Sequence, residues 1–154
     1  MRSIWIAHGI CALLAALMVA LAARVASGDE VGGTVDVTVT GFKSDEGQLG
    51  CLLFKDAQGF PMSTGDAARK VSAPIAGKAA QCVFEGVPAG TYAVAVVHDA
   101  NRDGEVDTNF LGIPKEGVAA SNNALPHTFG PPTFDEAKFR FDGTRAEMTL
   151  RLIY

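Results

Sequence analysis

TVDVTVTGF, Thr34 to Phe42, sets Val35, Val37 and Val39 against Asp36, Thr38 and Thr40. Side chains of an extended chain alternate between two faces, so this period of two predicts a strand with one apolar and one wet face. Downstream, the turn residues of SDEG precede QLGCLLFK, Gln48 to Lys55, which is apolar on both faces and reads as a central strand forming a hairpin with the first. KVSAPIAG, Lys70 to Gly77, is a short strand that Pro74 confines to an edge or a strand end. AQCVFEG, Ala80 to Gly86, is a fourth strand, and TYAVAVVHD, Thr91 to Asp99, follows the VPAG turn as a fifth. Asp142-Gly143 is a hairpin signal between Phe139/Phe141 and Met148/Leu150/Leu152. Seven short strands without a sustained helical period predict an all-β fold, an antiparallel seven-stranded β-sandwich. One long connection, from about Asp99 to Ala137, is rich in Gly, Pro and Asn, and a loop of that length is commonly functional. Within it Thr133 and Glu136 have capping-box spacing and predict a helical turn.

The first residues bound where this domain works. Arg2 precedes an apolar run from Ile4 to Ala23, and small residues follow in ARVASGDE, the order of a secretory signal. The expected division is a signal peptide over 1–28, cleaved between Val25 and Asp29, and a single β-sandwich domain over 29–154; an uncleaved anchor is the alternative. Either way the domain is expected to be periplasmic or secreted, with no membrane span after signal cleavage. The chain has 13 Lys+Arg and 17 Asp+Glu; removing Arg2 and Arg24 leaves 11 against 17, a net charge of -6. A modestly acidic surface argues against nucleic acid and anionic membrane as partners.

Two cysteines remain outside the apolar run, Cys51 and Cys82, each in an alternating apolar stretch. In an oxidising compartment such a pair predicts a disulfide; two buried thiols are the alternative.

The unusual chemistry lies in HDANRDGEVD, His98 to Asp107. Calcium takes six to eight oxygens, and alternate residues of a tight loop can turn carboxylates and amides towards one point. Asp99, Asn101, Asp103 and Asp107 have that spacing, Gly104 stands where the turn is sharpest, and Glu105 offers a backbone carbonyl. The twelfth position, where a helical calcium loop closes with a bidentate Glu, is Phe110. The remaining oxygens must therefore come from elsewhere, with Glu116 first and Asp135, Asn122 and Asn123 after it. A solvated turn is the plainer reading, because Asp, Asn and Gly are also the default turn residues.

The block GTYAVAVVHDANRDGEVDTNFLGIPKEG, with FGPPTFDEAKF and the terminal LRLIY, resembles the bacterial domain-of-unknown-function 2141 family over about Val35 to Tyr154. The resemblance implies a small exported β-sandwich, immunoglobulin-like or transthyretin-like, and no established activity. The family's motif falls on His98, Asp99, Asn101, Asp103, Gly104, Asp107, Gly112, Pro114, Glu116, Ser121 and Asn122, none of which carries a role to transfer.

Three other constellations bear on function. His98, Asp99 and Glu116 would serve a small metal-dependent hydrolase if they converged on an open site, although a histidine at a strand end is more often a hydrogen-bonding fixture. Ser121 and His127 lack the Gly-x-Ser-x-Gly elbow of a hydrolase, and Ser121, Asn122 and Asn123 read better as side chains satisfying backbone groups. Phe110, Leu111, Ile113 and Phe129 make the long connection apolar, as a lid on the core or as a recognition surface for a protein or glycan. The sequence thus points to a non-enzymatic exported sandwich whose calcium loop supports a binding or structural surface.

Overall fold

The computed structural model describes residues 32–111 and 114–154, so the expected signal peptide, Gly112 and Ile113 lie outside the described residues. Among the described residues eight strands form: β1 Gly33–Thr40, β2 Gln48–Phe54, β3 Arg69–Ala73, β4 Ala79–Val87, β5 Gly90–Asp99, β6 Val118–Ala120, β7 Phe139–Phe141 and β8 Arg145–Arg151. A 3-10 turn spans Ser121–Asn123 and a short helix, α1, spans Phe134–Ala137. The strands divide into a three-stranded sheet ordered β4-β1-β8 and a five-stranded sheet ordered β3-β2-β5-β6, with β7 also on β5. Strand β6 pairs with Ala95–Val97 and β7 with Gly90–Tyr92, so the two share one edge of β5. The expected seven strands become eight because β6 is only three residues long, too short to show a period.

The core lies between the sheets. Val35, Val37 and Val39 of β1 meet Leu49, Cys51 and Leu53 of β2, with Phe84, Val94, Val96 and Leu150 around them, all buried. The five-stranded sheet is also covered outside, where Leu52, Phe54 and Ala95 pack against Phe60, Ala67 and Phe134. Phe54 meets Phe60 edge-on at 5.3 Å and Phe60 meets Phe134 at 5.9 Å, a geometry aromatic rings favour. Burial on both sides explains why β2 reads as apolar on both faces, and β2 is central, between β3 and β5.

Two expected hairpins are absent, and one pairing is not antiparallel. Strands β1 and β2 lie in different sheets, so the SDEG turn carries the chain across the core. The Asp142-Gly143 turn forms, with Thr144 donating its N–H to Asp142 Oδ1 at 2.9 Å, but it delivers β7 to one sheet and β8 to the other. Strand β8 then runs parallel to β1, Thr34 opposite Arg145 through Thr40 opposite Arg151. The physical reason is that an apolar face is buried equally well by a facing sheet as beside a neighbour in the same sheet, and alternation registers only that it is buried.

The disulfide forms between Cys51 of β2 and Cys82 of β4, with Cα atoms 6.7 Å apart, and ties one sheet to the other. A second tie is the C-terminus: Ile153 exchanges backbone hydrogen bonds of 2.8 and 3.0 Å with Val118. Tyr154 then donates or accepts at His98 Nδ1 (2.8 Å) and accepts the Lys43 N–H (3.0 Å). Gly117 must be glycine for this packing, since a Cβ there would stand 2.5 Å from Tyr154 Cζ.

Candidate functional site

The acidic loop leaves the end of β5, where alternation sends successive side chains to opposite faces. His98 points to the core end and is 3% exposed, while Asp99 points into the loop and is 1% exposed. A buried carboxylate needs donors, and Asp99 has three: Gln48 Nε2 at 2.8 Å, Asp103 N–H at 3.2 Å and Gly104 N–H at 3.1 Å. The loop is therefore wound around the carboxylate of its own first residue. Gly104 takes φ 78° there, and a Cβ would meet nothing within 4 Å, so glycine is required by conformation rather than by space.

Glu116 closes the loop from outside. Its Oε1 accepts the Ala100 N–H at 2.9 Å and its Oε2 accepts the Asp107 N–H at 3.2 Å, so one carboxylate spans the turn. Lys115 N–H to Asp107 carbonyl, 2.8 Å, and a bridge between Thr108 and Pro114 draw this segment alongside the loop. Asn101 Nδ2 donates to Asp103 Oδ2 at 2.8 Å and to Asp107 Oδ2 at 3.2 Å, so one amide links the two carboxylates. Asn101 Oδ1 accepts the Asp103 N–H at 3.1 Å, and Asp103 Oδ1 accepts the Glu105 N–H at 2.9 Å.

The structure thus brings Asp99, Asn101, Asp103, Gly104, Glu105, Asp107 and Glu116 into one hydrogen-bonded turn. Among the described residues no three acidic, imidazole or thiol side chains are grouped as the ligands of a metal ion would be, the carboxylates of this turn included. The further oxygen donors considered lie elsewhere: Asn122 Nδ2 donates to the Glu136 and Lys138 carbonyls, and Asn123 bonds Thr149 O and Arg151 N–H on the edge of β8. Asp135 pairs with Lys138 on α1 at 2.8 Å.

His98, Asp99 and Glu116 do not converge on an open position. Both imidazole nitrogens are engaged, Nδ1 with the Tyr154 hydroxyl and Nε2 with the Glu46 carbonyl at 2.7 Å, and the ring meets Phe42 edge-on at 5.1 Å. Ser121 is fully buried, donating to the Ala137 carbonyl at 2.6 Å and accepting the Val94 N–H at 2.9 Å, which makes it the backbone-satisfying side chain expected. His127 meets Glu136 at 3.0 Å instead of Ser121. Gln48, Gly117 and Tyr154 hold this end of the molecule together without standing out in the sequence; only the terminal LRLIY hinted at the last.

The expected capping box at Thr133 and Glu136 forms. The Thr133 backbone N–H and hydroxyl, each 2.7 Å from Glu136 Oε2, hold that carboxyl down to about 2, with His127 adding to them. A depressed carboxyl stabilises the fold above its unfolded pKa, and that contribution is lost as pH falls from about 4.5 to about 2. The melting-temperature gap between the native chain and Glu136→Gln is therefore expected to be widest near neutrality and to close across that window. A gap independent of pH would show that the box does not contribute through its charge.

Beside the loop, a groove of about 890 Å³ runs over the outer face of the five-stranded sheet. Leu52, Ala95 and Val97 contribute to its lining, together with Val106, Leu111 and Pro114 of the acidic segment and Pro126 to Pro132 opposite. Phe110 and Phe129 stand 95% and 97% exposed, so neither acts as the lid on the core that the sequence allowed. No helix of the described residues is long and apolar enough to cross a membrane. The family model described as "Uncharacterized protein conserved in bacteria (DUF2141)" matches residues 37–149. No curated protein and no solved structure matches the chain.

Proposed function

The chain belongs to the DUF2141 family of bacterial proteins, and on that premise we propose that it is an exported, non-enzymatic β-sandwich whose acidic loop takes one calcium ion and so fixes an adjoining binding surface. The supporting observation is the loop's frame: Asp99 and Glu116 hold its backbone N–H groups while Asp103 and Asp107 aim at the same Asn101 amide. Asp99, Asn101, Asp103, Asp107 and the Glu105 carbonyl are the proposed ligands, and Glu116 supplies the closing carboxylate that the twelfth position lacks. Amide and carbonyl oxygens complete the shell, as a hard cation accepts. Export to the periplasm or beyond rests on the signal pattern over 1–28 and agrees with the disulfide. A hydrolase working through His98 gains no support, because both ring nitrogens are committed to structural partners.

The test is calorimetric titration of calcium into chelator-stripped protein, with melting curves at both ends. One saturable site is expected, with a dissociation constant of roughly 10⁻⁴ to 10⁻³ M, the range of extracellular calcium modules. Saturation at about a hundredfold excess over that constant should add about 2.7 kcal/mol. Asp103→Ala is expected to abolish this gain and leave the chelated protein folded. An unchanged calcium response in that variant would remove the ligand assignment, and absence of heat in the native chain would return the loop to a hydrogen-bonded turn.

A further inference from the structure

The groove over the five-stranded sheet is concave, and its ionisable groups already have partners. Of its ionisable lining groups, Glu116 accepts two backbone N–H groups and His127 meets Glu136. The Tyr154 hydroxyl at one end is held by His98 and the Lys43 N–H. No buried side-chain nitrogen or oxygen among the described residues lacks a partner, so nothing in the floor demands a hydrogen bond from a ligand. A sugar needs several converging donors and acceptors, whereas the sheet side of this groove is aliphatic, and an ionised group entering it would be desolvated without compensation. The floor is aliphatic and shallow-sided, being built from Leu52, Ala95, Val97 and Ala119. At about 890 Å³ the groove lies within the range of small-molecule sites, which are concave and mostly apolar. Leu111 (67% exposed) and Phe129 (97%) both line it and leave their apolar surface uncovered.

We propose that this groove binds a neutral, apolar small molecule of the long-chain alcohol class, held against Leu111 and Phe129. Because Val106, Leu111 and Pro114 belong to the acidic segment, fixing that segment with calcium tightens the site, and the ligand tightens calcium by the same factor. This coupling, and only this part, rests on the calcium reading.

The experiment uses the full chain, expressed with its own N-terminal segment and purified as the cell delivers it. It is titrated with N-phenyl-1-naphthylamine, a neutral apolar fluorophore, in calcium and in chelator. One saturable site with a constant of about 1–100 µM is expected, as ligand efficiency allows for a molecule of that size. Decanol should displace the dye and decanoate should not. Leu111→Asp and Phe129→Ala, both at exposed positions that leave the core intact, should each weaken binding about tenfold, as loss of one apolar contact does. Val83→Ser, on the other sheet, should not. Absence of saturable binding, equal displacement by decanoate, or unaltered binding in the Leu111→Asp/Phe129→Ala double variant would overturn the site. So would association only with phosphatidylcholine vesicles, which would make the exposed rim a membrane contact. Dye binding equal in calcium and chelator would overturn the coupling; if calcium also gives no heat, the failure belongs to the metal loop and the groove stands.

Discussion

Replacing Cys51 and Cys82 together by alanine is expected to cost the fold about 4 kcal/mol. The bridge closes a loop of 31 residues, and constraining an unfolded chain over that length is worth about 4 kcal/mol in the chain-entropy account. Its position adds to this. Cys51 pairs in register with Val71 and Val96, and Cys82 with Val37, so the bond ties the inside of the larger sheet to the β4 edge of the smaller one. For a domain of this size the melting temperature should fall by roughly 10–20 °C. Thermal unfolding of the double variant beside the oxidised and the reduced native protein checks this. A reduced protein that melts with the oxidised one would mean that apolar contacts alone hold the sheets together.

Glu116→Ala is the second large effect, and it is expected in stability and in calcium affinity together. Removing the carboxylate leaves the Ala100 and Asp107 N–H groups to water, at a cost of about 0.5–1.5 kcal/mol for each hydrogen bond lost, since both residues are exposed. Calcium binding should become too weak to measure, since the closing carboxylate of such a loop supplies two of its ligand oxygens. Glu116→Gln separates the roles. It keeps one acceptor oxygen and places an amide NH₂ against the other donor, so it should recover part of the stability and little of the calcium response. Full recovery of both by Gln would show that neither the charge nor the second oxygen matters, and would remove Glu116 from the metal shell. Melting curves and calorimetry on the same two variants read both quantities.

These two positions differ in how visible they were. Cys51 and Cys82 were legible because each lies on the apolar face of an alternating run, and an exported chain with two such cysteines has a ready bond. Glu116 was legible only as the nearest acid to a loop short of one ligand. That it spans the turn through two backbone N–H groups depends on the Thr108–Pro114 bridge, which no spacing rule encodes. The Thr133–Glu136 box and the backbone-satisfying roles of Ser121 and Asn122 were local patterns, and local patterns survive folding because their partners are fixed by the chain itself.

The sequence by itself determined that this is a β domain, which residues face its core, where its acidic loop lies and which family it resembles, because strand alternation, turn chemistry and ligand spacing are properties of neighbours along the chain. Only the tertiary structure decided which strands share a sheet, that β8 runs parallel to β1, that His98 is locked by Tyr154 fifty-six residues away, and that the acidic segment walls an apolar groove. Those outcomes join residues far apart in the chain. They are settled by which apolar faces bury one another most completely, a competition among whole surfaces that no short stretch can register.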